Sequence, residues 1–190
     1  MSLSEPKARR EPLHRRRIEI TGYRREDGLY DIEGCLNDAK DVPFTVGGAE
    51  RAPGEAIHTM WLRITVDREL RIVDAEACTE AMPYRGTCQR VAPDYLKLVG
   101  LSIGPGYLRR LKELLGGVRG CTHLTELAGS LATAAFQTFA GQGLIPSDRR
   151  PPQLDRCHAL DTHGETVARF HPKWYRGALP AAADGSGEKI

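Results

Sequence analysis

Alternating apolar and polar positions near the front of the chain predict a β-hairpin. Ile18 and Ile20 alternate with polar neighbours, and the alternation resumes over residues 29–36 after a glycine-containing turn. A stronger alternation over residues 60–66 returns over residues 70–77. Because successive side chains of a strand point to opposite faces, each run indicates one buried and one wet face. Four antiparallel strands in sequence order are predicted, arranged as a meander.

Helical spacing dominates the middle of the chain. A short helix is predicted over residues 93–99, and leucines three and four positions apart predict another over residues 107–115. The longest helical pattern starts at Thr122 and carries apolar residues as far as Phe139. We therefore expect an α+β fold, with an antiparallel sheet of about four strands covered on one face by three helices.

Breaks in these patterns divide the chain into four parts. Residues 1–14 are polar and without period, which predicts a disordered leader, and residues 15–143 form the single α+β domain. Residues 144–176 start with a linker and continue with two short strand-like runs. These runs predict a small C-terminal extension that packs back on the domain. The Gly- and Ala-containing residues 177–190 predict a mobile tail.

The composition of the chain mainly excludes classes of partner. A hydrophobic content of 41% indicates a globular protein, and a net charge of only +2 argues against a nucleic-acid partner. The chain has no export signal and no apolar run long enough for a bilayer, so a cytoplasmic location without a membrane partner is expected. The basic residues between 7 and 25 are interpreted as a solvated segment leading into an edge strand, with a patch for anions or an acidic partner as the alternative.

Cysteine and histidine meet at the start of the longest helix. Five cysteines without an export signal indicate reduced thiols, and Cys121 and His123 follow a glycine-rich turn directly. Unpaired N–H groups and the macrodipole at a helix start favour a thiolate. The alternative is an ordinary helix start, in which Thr122 is the N-cap and Cys121 is a small packed residue. Cys88 lies in the connector that leaves the sheet.

A metal site follows from this arrangement as a hypothesis. Cys88, Cys121 and His123 are the predicted ligands of zinc or iron, because both metals accept mixed thiolate and imidazole sets. His58 or the pair Cys157–His158 is the candidate for an additional ligand. Without a metal, Cys121 is a candidate nucleophile with a histidine as its base.

Three further positions complete the predicted site. His58 and Glu126 are the candidates for proton transfer near an open metal position. For Glu126, a carboxylate that stabilises the helix start is the alternative. Arg119, beside that helix start, is the candidate to bind a carboxylate or phosphate of a ligand or cofactor.

Several segments carry a resemblance to a known family. Residues 17–176 resemble the bacterial domain of unknown function 2889 family, through the segments Tyr23–Gly34, Ile57–Arg63, Gly120–Leu127 and Asp155–Leu160. The family name implies no activity. Its relatives tend to occur in proteobacteria with catabolic genes for aromatic or CoA-linked substrates, and this context implies a catabolic role.

A second, more distant resemblance concerns residues 57–140. Two strands, a cysteine-bearing connector, short helices and a thiol with an imidazole at the start of the last helix are similar to the iron–sulfur cluster assembly scaffold fold. The resemblance implies a connector-ligand role for Cys88 and a last-helix role for Cys121 and His123. The pair here is Cys-x-His, whereas the scaffold family has His-Cys, and the middle helix carries no cysteine.

These observations lead to three functional hypotheses. The first is a small cytoplasmic metal-dependent lyase or hydrolase that acts on a small-molecule substrate of aromatic or CoA-linked catabolism. The second is a non-catalytic carrier or accessory module that holds a metal or an iron–sulfur cluster. The third is a metal-free binding module for an anionic ligand or an acidic partner. Association as a homo-oligomer or with a partner enzyme stays open.

Overall fold

The computed structural model describes residues 3–142 and 148–177. The chain divides into two compact units, residues 1–140 and residues 141–190. The first unit contains the sheet and the long helices, and the second contains short helical segments. The predicted domain boundary at residue 143 is thus close to the division between the units.

The described residues of the first unit form six strands. They are β1 (His14–Arg24), β2 (Tyr30–Lys40), β3 (Phe44–Val46), β4 (Ala49–Arg51), β5 (Ala56–Val66) and β6 (Ile72–Ala81). The four long strands form an antiparallel sheet in the order β1-β2-β5-β6, which confirms the predicted meander. The short strands β3 and β4 form a separate two-stranded ribbon, and Gly47 and Gly48 between them adopt the positive φ angles of a tight turn.

Two α-helices and one 3-10 segment cover this sheet. Helix α1 spans Tyr107–Leu115 and α2 spans Thr122–Phe139, as the periodicity predicts. The short helix predicted over 93–99 is part of a longer 3-10 segment, Cys88–Leu98. Helix α2 packs on β1, β2 and β5, whereas α1 packs on α2 and the 3-10 segment packs on β6. Among the described helices, none has the length and apolar character needed to cross a membrane.

The core lies between α2 and one face of the sheet. Residues two apart on a strand share a face, and the buried face carries the apolar residues of β2 and β5. Fully buried side chains on the two layers include Ile32, Leu36, Leu62, Ile64, Leu124, Leu127 and Leu131. A Cβ atom on Gly34 would lie 2.9 Å from Leu131, so a glycine there lets α2 approach β2 closely. At the far end of α2, the rings of Phe139 and Tyr30 have centroids 4.5 Å apart.

The C-terminal extension is helical, so the prediction of strand-like segments there is wrong. Residues 148–177 contain helix α3 (Glu165–Phe170) and two 3-10 turns, His158–Leu160 and Pro172–Trp174. Short apolar runs do not distinguish strand from helix, and Pro172 at the first position of a helical turn favours the latter. The packing of this extension against the domain stays a prediction. Apart from residue 177, the predicted mobile tail lies outside the described residues.

Removing a side chain between α2 and the sheet should destabilise the first unit strongly. Leu131 is completely buried, so Leu131→Ala should lower the free energy of unfolding by about 2–5 kcal/mol through lost burial and a residual cavity. The midpoint of urea unfolding measures this loss when the dependence of the unfolding free energy on urea concentration is the same in both proteins. Leu108→Ala, at a position 57% exposed, is the matched control and should cost less than about 1 kcal/mol. Equal losses in the two variants would contradict this account of the core.

Candidate metal centre

A buried carboxylate lies at the end of the sheet where α2 begins. Asp38 is only 2% exposed and lies on the same face of β2 as Ile32 and Leu36. Directly opposite Asp38 on the neighbouring strands are Arg16 of β1 and His58 of β5. Because a buried carboxylate without a partner is unfavourable, Asp38 depends on these neighbours for compensation.

Arg16 supplies the compensating charge. Its Nε donates a hydrogen bond to Oδ1 of Asp38 and its Nη2 donates one to Oδ2, both at 2.8 Å. This is the bidentate geometry in which a guanidinium binds a carboxylate best. The third nitrogen, Nη1, donates to Oε2 of Glu126 on α2 at 2.5 Å. One guanidinium therefore joins β1, β2 and α2.

Three imidazoles complete the surroundings of Asp38. Nδ1 of His58 lies 3.1 Å from Oδ2, and Nε2 of His123 lies 3.5 Å from the same oxygen. Nε2 of His14, on β1, lies 3.1 Å from Oδ1. The rings of His58 and His123 stack with centroids 3.8 Å apart and an angle of 33° between their planes. Both oxygens of Asp38 thus face basic groups.

The electrostatics of the cluster favour an ionised Asp38 and neutral imidazoles. Burial by itself raises the pKa of Asp38, but the hydrogen bonds and charge of Arg16, with help from His58 and His123, hold that pKa at about 2. Burial lowers the pKa of His58 and of His123, and this effect outweighs the attraction of Asp38 for their charged forms. A carboxylate beside neutral imidazoles is the protonation state that binds metal ions.

Asp38, His58 and His123 together have the composition of a metal site. One potential ligand atom of each lies within 4.8 Å of those of the other two. Two imidazoles with one carboxylate are a donor set used by zinc and by non-haem iron. Ligand atoms about 2.0–2.2 Å from a shared ion are separated by roughly 3–3.5 Å, which is the range of the distances from Oδ2 of Asp38 to the two imidazoles.

Cys121 lies at the edge of this cluster. It is the N-cap residue of α2, and its Sγ lies 3.8 Å from Nδ1 of His123 and 3.7 Å from Sδ of Met60. The phenol oxygen of Tyr95 accepts a hydrogen bond from the Cys121 backbone N–H at 3.1 Å and lies 2.9 Å from the Cys121 carbonyl oxygen. Burial raises the pKa of Tyr95 to about 12, which keeps the phenol a neutral donor. Tyr95 thereby determines where α2 begins.

The structure brings together part of the predicted site. His58, Cys121 and His123 meet beside Asp38, and Glu126 joins them through Arg16. Cys88 is the first residue of the 3-10 segment. Within the described residues, it belongs to no group of three potential ligands as close as the one that contains Asp38.

The remaining predicted residues lie elsewhere. Arg119 ends a 3-10 turn, Gly117–Arg119, and its Nη2 donates to the carbonyl oxygen of Lys112 at 3.2 Å. It lines an open groove with residues of α1, and its role toward an anion stays a prediction. Cys157 and His158 lie in the second unit, where Cys157 is exposed. Their role as additional ligands also stays a prediction.

Asp38 and Arg16 are site residues that sequence reasoning missed. The predicted strands stopped at Leu36 and began after Arg16, because charged residues end an alternating pattern. A usable signal was nevertheless present. Asp38 continues the buried phase of β2 two residues after Leu36, and Arg16 precedes Ile18 by two residues on β1. A charged residue in the apolar phase of two paired strands indicates a buried ion pair.

Acid should destabilise the metal-free protein through Asp38. The pKa of Asp38 is about 2 in the folded protein, against an ordinary value of 3.8, so its contribution is complete above about pH 4 and is lost as the pH falls through about 2. The shift corresponds to a contribution on the order of 2 kcal/mol. Urea unfolding of chelator-treated protein between about pH 6 and pH 2 measures it. Asp38→Asn should flatten this pH dependence, and the exposed variant Asp94→Asn should keep it. A profile unchanged by Asp38→Asn would contradict the assignment.

Comparison with known proteins identifies a family for most of the first unit. A family model described as "Protein of unknown function (DUF2889)" matches residues 14–137, a range that contains every residue of the Asp38 cluster. Neither the curated proteins nor the solved structures give a match to this chain. The resemblance to the iron–sulfur cluster assembly scaffold fold therefore stays a prediction. The chain belongs to the DUF2889 family of proteins of unknown function.

Proposed function

We propose that this protein is a small metal-dependent enzyme in which Asp38, His58 and His123 bind one zinc or iron ion. The observation that carries the proposal is the convergence of three suitable donors from β2, β5 and α2 to within 4.8 Å of one another. Three protein ligands leave at least one coordination position for water or substrate, which is typical of catalytic metal sites.

The proposed reaction is that of a lyase or hydrolase on a small-molecule substrate. An ion held by Asp38, His58 and His123 would supply Lewis-acid chemistry toward a substrate oxygen or a water molecule, and a side chain beside it would have to move the accompanying proton. His58, a predicted proton-transfer residue, becomes a ligand in this proposal. Glu126 keeps its predicted role, because its side chain is 43% exposed and is held beside the cluster by Arg16. The aromatic or CoA-linked substrate stays a prediction from the family resemblance.

A metal-free thiol enzyme is the second candidate. Sγ of Cys121, the ring of His123 and the carboxylate of Asp38 lie in series, with contacts of 3.8 Å and 3.5 Å. A thiol, an imidazole and a carboxylate in this order can transfer an acyl group. Sulfur would bond to the acyl carbon while its proton passes to Nδ1 of His123, which then protonates the leaving group. The non-catalytic carrier also stays a prediction, and a fourth protein ligand such as Cys121 would favour it.

Metal analysis of the untagged protein tests the main proposal. The wild-type protein should contain about one zinc or iron ion per chain, and Asp38→Asn and His123→Gln should each lose most of it because two donors hold an ion weakly. Cys88→Ser is the matched control: it should retain the metal, since Cys88 is not one of the three proposed ligands. Circular dichroism confirms that each variant is folded.

Two outcomes would contradict the metal proposal. One is a wild-type protein that takes up neither zinc nor ferrous iron after anaerobic reconstitution. The other is loss of the ion in Cys88→Ser with retention in Asp38→Asn, which would support the ligand set predicted from sequence. In a metal-free protein, alkylation of Cys121 by iodoacetamide that is faster than alkylation of the exposed Cys78, and that slows in His123→Gln, would favour the thiol enzyme.

A further inference from the structure

We infer that Arg16 is the positioning residue of the proposed metal centre. With Glu126 bound to its outer nitrogen, Arg16 orients Asp38 so that a single oxygen, Oδ2, faces His58 and His123 and binds the ion in monodentate fashion. The inference rests on the proposed function and goes beyond it, because it specifies how the carboxylate ligand is presented.

The two oxygens of Asp38 have different neighbours. A carboxylate has about four lone-pair sites, two on each oxygen. Arg16 occupies one site on Oδ1 and one on Oδ2 through its two 2.8 Å hydrogen bonds. Nε2 of His14 lies 3.1 Å from Oδ1. Oδ2 instead faces the two proposed imidazole ligands, with Nδ1 of His58 at 3.1 Å and Nε2 of His123 at 3.5 Å, so an ion held by these imidazoles would meet Oδ2.

Glu126 makes the guanidinium compatible with a nearby cation. A metal ion bound to Asp38 would lie close to the positive charge of Arg16, and the two would repel each other. Glu126 accepts a hydrogen bond from Nη1 of Arg16 at 2.5 Å and offsets that charge. The cluster thus contains two carboxylates, Asp38 and Glu126, and one guanidinium, a composition that favours a cation.

The orientation of Asp38 determines the number of ligand atoms. With Arg16 in place, the protein supplies one oxygen and two nitrogens, so the ion keeps a low protein coordination number and an open position. Without the two hydrogen bonds from Arg16, Asp38 would keep only the contact of Oδ1 with His14, and a rotation of the carboxylate would bring both oxygens to the ion. A merely structural ion pair between β1 and β2 would have no effect on the coordination of the ion. The coordination geometry therefore separates the two roles.

Cobalt(II) substitution of the full-length protein tests the inference. Cobalt(II) absorbs visible light strongly when four-coordinate and weakly when six-coordinate, so the wild-type protein should give intense bands. Arg16→Lys keeps the positive charge but loses the bidentate hydrogen bonds to Asp38. This variant should lower the intensity of the cobalt bands and weaken zinc binding about 10–100-fold, which is the usual effect of losing a hydrogen-bond partner of a metal ligand. Glu126→Gln should also lower the band intensity and the zinc affinity, but by smaller amounts.

Arg15→Lys is the matched control. Arg15 precedes Arg16 on β1, points to the other face of the sheet and pairs with Asp41 at 2.9 Å, so this variant should keep the wild-type spectrum and zinc affinity. A folded Arg16→Lys variant with unchanged spectrum and affinity would overturn the inference and leave the metal centre intact. If Arg16→Lys does not fold, Glu126→Gln decides alone, and an unchanged result there overturns the inference. A wild-type protein that binds neither cobalt nor zinc refutes the metal centre itself.

Discussion

The hydrogen bonds from Arg16 to Asp38 hold the edge strand β1 on β2 where the apolar core ends. The carboxylate is almost completely buried, so its ionised form depends on the guanidinium. Asp38 is buried whereas the side chain of Arg16 is 32% exposed, so removal of Arg16 would leave a buried charge without its main compensation. The same pair holds the carboxylate that the proposed metal centre needs. The stability of this end of the sheet and the orientation of Asp38 in the proposed centre therefore depend on one interaction.

Helix α2 lies along the sheet with a defined position at each end. Phe139 contacts Tyr30 at the C-terminal end, and Tyr95 binds the backbone of Cys121 at the N-terminal end. The contact between Glu126 and Arg16 adds a polar connection to β1. These contacts place His123 over the end of β2 and β5, next to Asp38 and His58. The group of potential metal ligands at this end of the sheet is for this reason Asp38, His58 and His123.

The metal centre and the thiol relay use the same atoms of the cluster in different ways. In the metal centre, Nε2 of His123 would bind the ion. In the thiol relay, the same Nε2 would face Asp38, and Nδ1, which faces Cys121, would be the base. Neutral imidazoles and an ionised carboxylate suit both chemistries, so protonation does not distinguish them. The two candidates differ in whether an ion occupies the cluster. A bound ion would engage the imidazole lone pair that a general base requires. All these residues lie within the segment that belongs to the family, residues 14–137.

Periodicity by itself determined the four strands, the helices over 107–115 and 122–139, and the placement of Cys121 and His123 at a helix start. These features depend on local spacing, and a two-residue or 3.6-residue repeat is visible in any single segment. Only the tertiary structure decided that Asp38 is the centre of the site. Its partners Arg16, His58 and His123 are far apart in sequence and meet through strand register and the course of α2, which local patterns do not encode. The sequence indicated Cys121 and His123 as candidates at the start of α2, and folding determined which carboxylate His123 faces.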